Sequence, residues 1–166
     1  WSEQGLLTLV DDVEIHPSYL TDYIAEKKKE FNIEKLALDD FRYALLSDAL
    51  RKIGFDAKAY KNVKLVRPSD IMRVATVIDS CFTNQWFTWG DNPVLRWAVN
   101  NTKLIRSNRR AGRENDADVG NFVYGKIEAK SRKTDPFMAL AASMTVEDVL
   151  PEAKRPKPKF KVFTFG

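Results

Sequence analysis

An α/β domain is the fold class that this sequence predicts. Short apolar runs rich in β-branched residues alternate with stretches of helical periodicity, Gly and Pro punctuate the joints between them, and no internal repeat or long low-complexity tract interrupts the alternation. Helices separated by single strands imply a mostly parallel or mixed central sheet with helices packed against it. The chain has 166 residues, 44% of them hydrophobic, which is enough for one ordinary core without disulfides or a structural metal. We place that domain at residues 1–150 and read residues 151–166 as a basic tail. There Lys154-Arg155-Pro156-Lys157-Pro158-Lys159 has alternating prolines that deny it a helix.

Residues 6–10 and 13–15 flank a turn at Asp11-Asp12 and predict a hairpin or edge pair. After Pro17, the spacing of Leu20, Ile24 and Phe31 predicts an amphipathic helix whose wet face carries Glu26, Lys27, Lys28, Lys29 and Glu30. Residues 33–38 read as a strand ending at Asp39 and Asp40. Leu45, Leu46, Ala49, Leu50 and Ile53 then form a helical stripe that Gly54 terminates. A strand at residues 63–66 leads to a helix opening at Pro68 and carrying Ile71, Val74, Ala75 and Ile78. Trp86-Phe87-Thr88-Trp89 reads as an aromatic strand, closed by Gly90-Asp91-Asn92 and by Pro93 in the first turn of the next helix, which turns Val94, Leu95, Trp97 and Ala98 inward. Strands at residues 103–106 and 121–127 bracket a polar loop over residues 107–120. The last helix starts at Asp135 and presents Phe137, Met138, Leu140, Ala141 and Met144. Its small residues Ala139, Ala141, Ala142 and Ser143 suit close packing on a sheet, and Thr145-Val146-Glu147-Asp148 has the pattern of a capping box for a further short turn.

Composition excludes several chemistries. Cys81 is the only cysteine, so neither an intramolecular disulfide nor a Cys-based zinc site can form, which fits a reducing, cytoplasmic location. No run is long enough to span a bilayer, and the first residues do not make a secretion signal, so no membrane partner is expected. His16, the only histidine, sits beside a proline at a helix start and is read as a surface or capping residue, which leaves a catalytic triad without its base. No Gly-rich phosphate loop is present. Trp86, Trp89 and Trp97 could stack on bases, but at strand and helix spacing they are more simply core residues, and Asp91, Asp116 and Asp118 are turn or loop residues.

The net charge of +4 is only mildly basic, but the cations are concentrated in the second half of the chain. Lys103, Arg106, Arg109, Arg110 and Arg113 fall in one segment, and Lys126, Lys130, Arg132 and Lys133 in the next. Such runs are either solvated faces or a surface that tracks phosphates. Two carboxylates occupy positions suited to a divalent metal: Asp39, where an apolar strand stops, and Asp135, where a helix begins after a basic loop. Capping suits the same positions: Asp135 precedes a proline in the first helical position, and Asp39 or Asp40 could equally cap the helix after them. The two roles are compatible, because a capping carboxylate keeps a second oxygen.

Three passages resemble the C-terminal nuclease domain of the large terminase subunit of tailed phages. Trp1-Ser2-Glu3-Gln4-Gly5-Leu6-Leu7 with Val13-Glu14-Ile15 looks like the family's opening strands, and Leu36-Ala37-Leu38-Asp39-Asp40-Phe41-Arg42 like its strand ending in Asp and an aromatic. The third and most specific runs from Asp91-Asn92-Pro93-Val94-Leu95-Arg96-Trp97-Ala98-Val99-Asn100-Asn101 through Gly120-Asn121-Phe122 and Lys126 to Lys133-Thr134-Asp135. The resemblance implies an RNase H-like fold and an endonuclease that cuts concatemeric viral DNA by two-metal hydrolysis. It also implies a site of three carboxylates holding two Mg²⁺ or Mn²⁺ ions about 4 Å apart. Asp39 matches the second carboxylate and Asp135 the third, although Pro136 stands where the family has glycine. The first carboxylate belongs on an opening strand that has no counterpart here, so the chain is expected to be a fragment, with an incomplete metal site of its own, of a protein with an ATPase domain in front. Double-stranded DNA, the portal and the small terminase subunit are the implied partners, in the bacterial host cytoplasm, with phosphate contacts expected among Lys126, Lys130, Arg132 and Lys133. The competing readings are a DNA- or portal-binding module without chemistry, and a structural domain in which both aspartates are caps.

Overall fold

The computed structural model describes residues 1–88, 90–106 and 122–147. Its elements run α1 (Pro17–Lys27), β1 (Leu36–Asp39), a 3-10 turn (Asp40–Arg42), α2 (Tyr43–Lys52), β2 (Val63–Val66), α3 (Pro68–Thr83), α4 (Pro93–Asn100), β3 (Thr102–Arg106), β4 (Phe122–Lys126) and α5 (Asp135–Met144). The α/β class and its alternation are therefore as the sequence predicts. The sheet is divided, however: β1 and β2 pair in parallel with Leu36 opposite Val63 and Asp39 opposite Val66, whereas β3 and β4 pair antiparallel with Thr102 opposite Lys126. Among the described residues no ladder joins the two pairs.

Capping chemistry sets the helix boundaries. His16 Nδ1 accepts the Ser18 N–H at the start of α1, and Asn92 Oδ1 accepts the Leu95 N–H at the start of α4, each followed by the expected proline. At α3 the Asp70 carboxylate reaches back to the Arg67 N–H at 2.9 Å. Gly54, at φ +88°, lies just past the end of α2 in the left-handed region that glycine enters at little cost.

Two apolar clusters sandwich the parallel pair. Ile24 of α1, Leu50 of α2, Phe55 and Val63 are buried together, with Leu36, Leu38 and Leu65 packed on them. On the other side Ile71 and Ile78 of α3, Ala98 of α4 and Phe137 and Ala141 of α5 form the second cluster, joined by Val66, Trp97 and Tyr124. Trp97 is half-buried, its ring edge against Trp1 at 5.4 Å, so its inward placement holds. Of the small residues of α5 only Ala141 is fully buried, and the helix packs against α3 and α4 as well as β1, so its close approach is mainly to helices.

Several expectations are corrected. Residues 6–10 and 13–15 form no strand, and Leu9 and Val13 are exposed. Their β-branched pattern has no strand to pair with among the described residues, and strand preference acts only through such pairing and cover. Residues 86–88 form no strand either. Gln85 turns through φ +56° and the Trp86 N–H bonds the Cys81 carbonyl, which finishes α3 and leaves the Trp86 ring exposed. Helix α1 stops at Lys27, so Phe31 is outside it and exposed, and Leu45 lies on the wet side of α2. Thr145 closes α5 as its C-cap, its hydroxyl donating to the Ala142 carbonyl, and Glu147 is the first residue of a 3-10 turn, while Asp148 of the expected capping box lies outside the described residues. Trp89, the loop at 107–120 with Arg109, Arg110, Arg113, Asp116 and Asp118, Asn121, Asp148 and the tail at 151–166 lie outside the described residues.

Candidate functional site

Asp39 is the last residue of β1 and is exposed at its carboxyl end. Alternation along the strand places Leu36 and Leu38 on the face covered by α1 and α2, and therefore Ala37 and Asp39 on the opposite face. Helix α5, whose core residues belong to the second cluster, packs against β1. The Asp39 carboxylate caps the 3-10 turn, its Oδ1 accepting the Phe41 N–H at 2.8 Å. That bond fixes the carboxylate and leaves Oδ2 without a hydrogen bond among the described residues. Asp40 is turned elsewhere and pairs with Arg67 at 3.5 Å.

Asp135 is not the cap that its proline neighbour suggested. Thr134 occupies that position, Asp135 is the first helical residue, and Pro136 is the second. Its exposed carboxylate stands beside the N-terminal N–H groups of α5, where the helix dipole favours negative charge. The strand that ends in Asp39 and the helix that begins with Asp135 are thus packing neighbours. Among the described residues no group of three or more His, Cys, Asp or Glu side chains converges to hold a metal ion.

Four cations of the second half lie on the end of β4 and its connection to α5. Lys126, half-buried, ends β4, and Lys130, Arg132 and Lys133 are exposed on the loop that leads to Asp135. Arg132 is held by Glu128 at 3.8 Å, whereas Lys126, Lys130 and Lys133 have no ion-pair partner among the described residues. Lys103 is exposed on β3 opposite Gly125.

Two ordered acids were not singled out by sequence. Asp70 is bonded to the Arg67 N–H and paired with Arg73 and with Lys64, the latter at 3.3 Å. Burial works against its ionisation, but the Arg67 N–H and the two cations outweigh burial and hold its pKa below the usual carboxylate value. Asp56 accepts the N–H groups of Ala59 and Lys58 and pairs with Arg51, and these contacts, the Ala59 bond first, lower its pKa as well. Asp70 was legible as the third helical residue of a capping box. Asp56 organises the turn between α2 and β2, which has no sequence signature of its own. Neither belongs to a group of three or more potential ligands among the described residues.

No protein-family model matches the chain, and no curated protein matches it. The solved crystal structure of the HK97 bacteriophage large terminase does match, with a TM-score of 0.69 at 19% identity over 88% of this chain. The aligned region spans 28% of that terminase, so the likeness establishes a terminase-like fold for this chain and covers only part of the solved protein.

Proposed function

We propose that this chain is part of the RNase H-like nuclease domain of a phage DNA-packaging terminase, an endodeoxyribonuclease that cuts concatemeric DNA with divalent metal. The observation that carries the reading is the packing of α5, which starts with Asp135, against β1, which ends in Asp39, within a terminase-like fold. Carboxyl ends of strands are where open α/β sheets place their ligands. The donor set suits Mg²⁺ or Mn²⁺, since both residues offer hard carboxylate oxygens and Oδ2 of Asp39 is left over by the cap. Asp39 and Asp135 would hold the cation jointly with a further carboxylate from elsewhere in the protein. Bound there, the metal would supply Lewis acidity toward the scissile phosphate and a more acidic attacking water.

The chain's own contribution is positional. Asp39 is immobilised by its bond to Phe41, Asp135 by the first turn of a helix anchored through Phe137, and Lys126, Lys130 and Lys133 offset phosphate charge without reading bases. In this reading the ATPase domain, the portal and the small terminase subunit are partners of the complete protein.

The test is Asp39→Asn and Asp135→Asn in the complete terminase, with plasmid cleavage in Mg²⁺ or Mn²⁺ as readout. Asn keeps a capping oxygen at position 39, so melting temperature should hold while cleavage falls by about a hundredfold or more, the scale expected when a metal ligand or its support is lost. Cleavage undiminished in both variants would refute the assignment. A second reading, a DNA- or portal-binding module without chemistry, is favoured by the absence of any group of three or more potential metal ligands among the described residues. Calorimetry separates the two: Mn²⁺ binding that depends on both aspartates belongs to the nuclease alone.

A further inference from the structure

Asn101 follows α4 as its C-cap and is only 4% exposed. Its backbone carbonyl accepts the Ile127 N–H at 2.8 Å, and its side-chain Nδ2 donates to the Lys133 carbonyl at 3.2 Å. Residues 127 and 133 are the two ends of the loop that carries Lys130 and Arg132 and delivers the chain to Asp135. Both hydrogen bonds that tie this loop to another element among the described residues end on Asn101. The remaining bonds of the loop are internal, between Glu128 and Ser131 or Arg132. Asn101 is itself fixed, because its N–H bonds the Trp97 and Ala98 carbonyls at the end of α4.

We propose that Asn101 is the positioning residue of the phosphate-binding loop, a clamp that closes both ends of residues 127–133 and so sets where Lys130, Arg132 and Lys133 stand; the inference rests on the DNA-binding part of the proposed function. The Ile127 end is held by the backbone carbonyl, which any residue supplies, whereas the Lys133 end is specific to the side-chain amide. A carbonyl can be held only by a donor, so Asp at this position would set an acceptor against an acceptor, and Ala would leave the Lys133 carbonyl without its protein partner. Releasing the Lys133 end makes the loop an ensemble that must be ordered again whenever it meets a phosphate backbone, and ordering each residue carries an entropic cost. DNA binding loses affinity and also salt dependence, because fewer phosphates are neutralised at once.

Two measurements on the 166-residue chain test this, with Asn101→Asp and, should that variant not fold, Asn101→Ala. Limited trypsin digestion with peptide mapping reads the loop without DNA. Cleavage after Lys130, Arg132 and Lys133 should accelerate about tenfold in the variant while a cooperative melt is retained, since local opening governs such cuts. Titration of a short DNA duplex over a salt series should give about tenfold weaker binding and a salt slope smaller by about one, the equivalent of one phosphate contact. Lys130→Ala with Lys133→Ala should weaken the unaltered chain but add little in the Asn101 variant, the non-additivity expected of a shared unit. Unchanged loop cleavage, or unchanged affinity and salt slope in a folded variant that still binds the duplex, overturns the clamp. Failure of the unaltered chain to bind the duplex overturns the DNA-binding reading instead, and the loop's role with it.

Discussion

Phe137→Ala is the substitution whose magnitude follows most directly from the structure. Phe137 is 3% exposed, two residues beyond Asp135, and sits in the cluster made by Ile71, Ile78, Ala98 and Ala141. Its ring meets Tyr124 edge to face at 4.8 Å and Phe82 at 6.3 Å. Removing a buried phenyl costs about 3–5 kcal/mol, of which the Tyr124 pair supplies about 0.5–1.5. Two of the four buried residues that share its cluster are alanines that cannot swing into the void, which places the expectation at about 4 kcal/mol. Domains of this size are stable by only about 5–15 kcal/mol, so the loss is a large share. Urea denaturation followed by tryptophan fluorescence, extrapolated linearly, measures it. Phe137→Leu keeps most of the volume but not the ring edge and should cost less than about 1.5 kcal/mol. A loss below about 2 kcal/mol for the alanine variant at unchanged denaturant slope, or equal losses for both variants, would show that α5 is not anchored through this ring.

Two predictions concern pH. Burial first, then the charge of Asp79, pushes the Tyr124 hydroxyl up to about 12 from 10.0, and that hydroxyl donates to the Ala75 carbonyl at 3.2 Å. A raised pKa contributes stability that is complete below the unfolded value of 10.0 and lost as pH climbs through about 12. The stability gap between the unaltered chain and Tyr124→Phe should therefore shrink over that window in urea titrations; a constant gap would contradict it. For Asp70 the sign is opposite. Its depressed pKa gives stability that is present above the unfolded value of 3.8 and lost as pH falls through the folded one. Asp70→Asn should thus melt below the unaltered chain near neutral pH and converge with it in acid, and thermal melts of equal midpoint at neutral pH would be the contrary result.

How much was legible depends on where the causes lie. Helices α2, α3 and α4 were readable because their apolar periodicity, prolines and caps are local: Pro68, Pro93 and Gly54 act within a few residues of themselves. Strands β1 to β4 were readable as short β-branched or apolar runs. Residues 6–15 and 86–88 carry the same local pattern and form no strand, because a strand exists only where another chain segment supplies its hydrogen bonds. The candidate site divides in the same way. Asp39 and Asp135 were identifiable as residues at element ends, and a cap at Asp39 or Asp40 was foreseen and falls to Asp39, but the cap of α5 proved to be Thr134. Asn101 stood within a recognisable string and still carried no readable role, since its partners lie 26 and 32 positions away.

By itself, then, the sequence determined the alternation of helices and strands, the carboxyl-end position of Asp39 and the crowding of lysines ahead of Asp135. Those features arise from backbone preferences, capping and charge that act within one or two turns of chain. The tertiary structure decided that the described strands divide into a parallel and an antiparallel pair, that α5 lies against β1, and that the buried Asn101 holds both ends of the basic loop, one through its backbone carbonyl and one through its side-chain amide. These outcomes depend on which apolar faces cover one another and on hydrogen bonds between distant segments, and no local pattern encodes either.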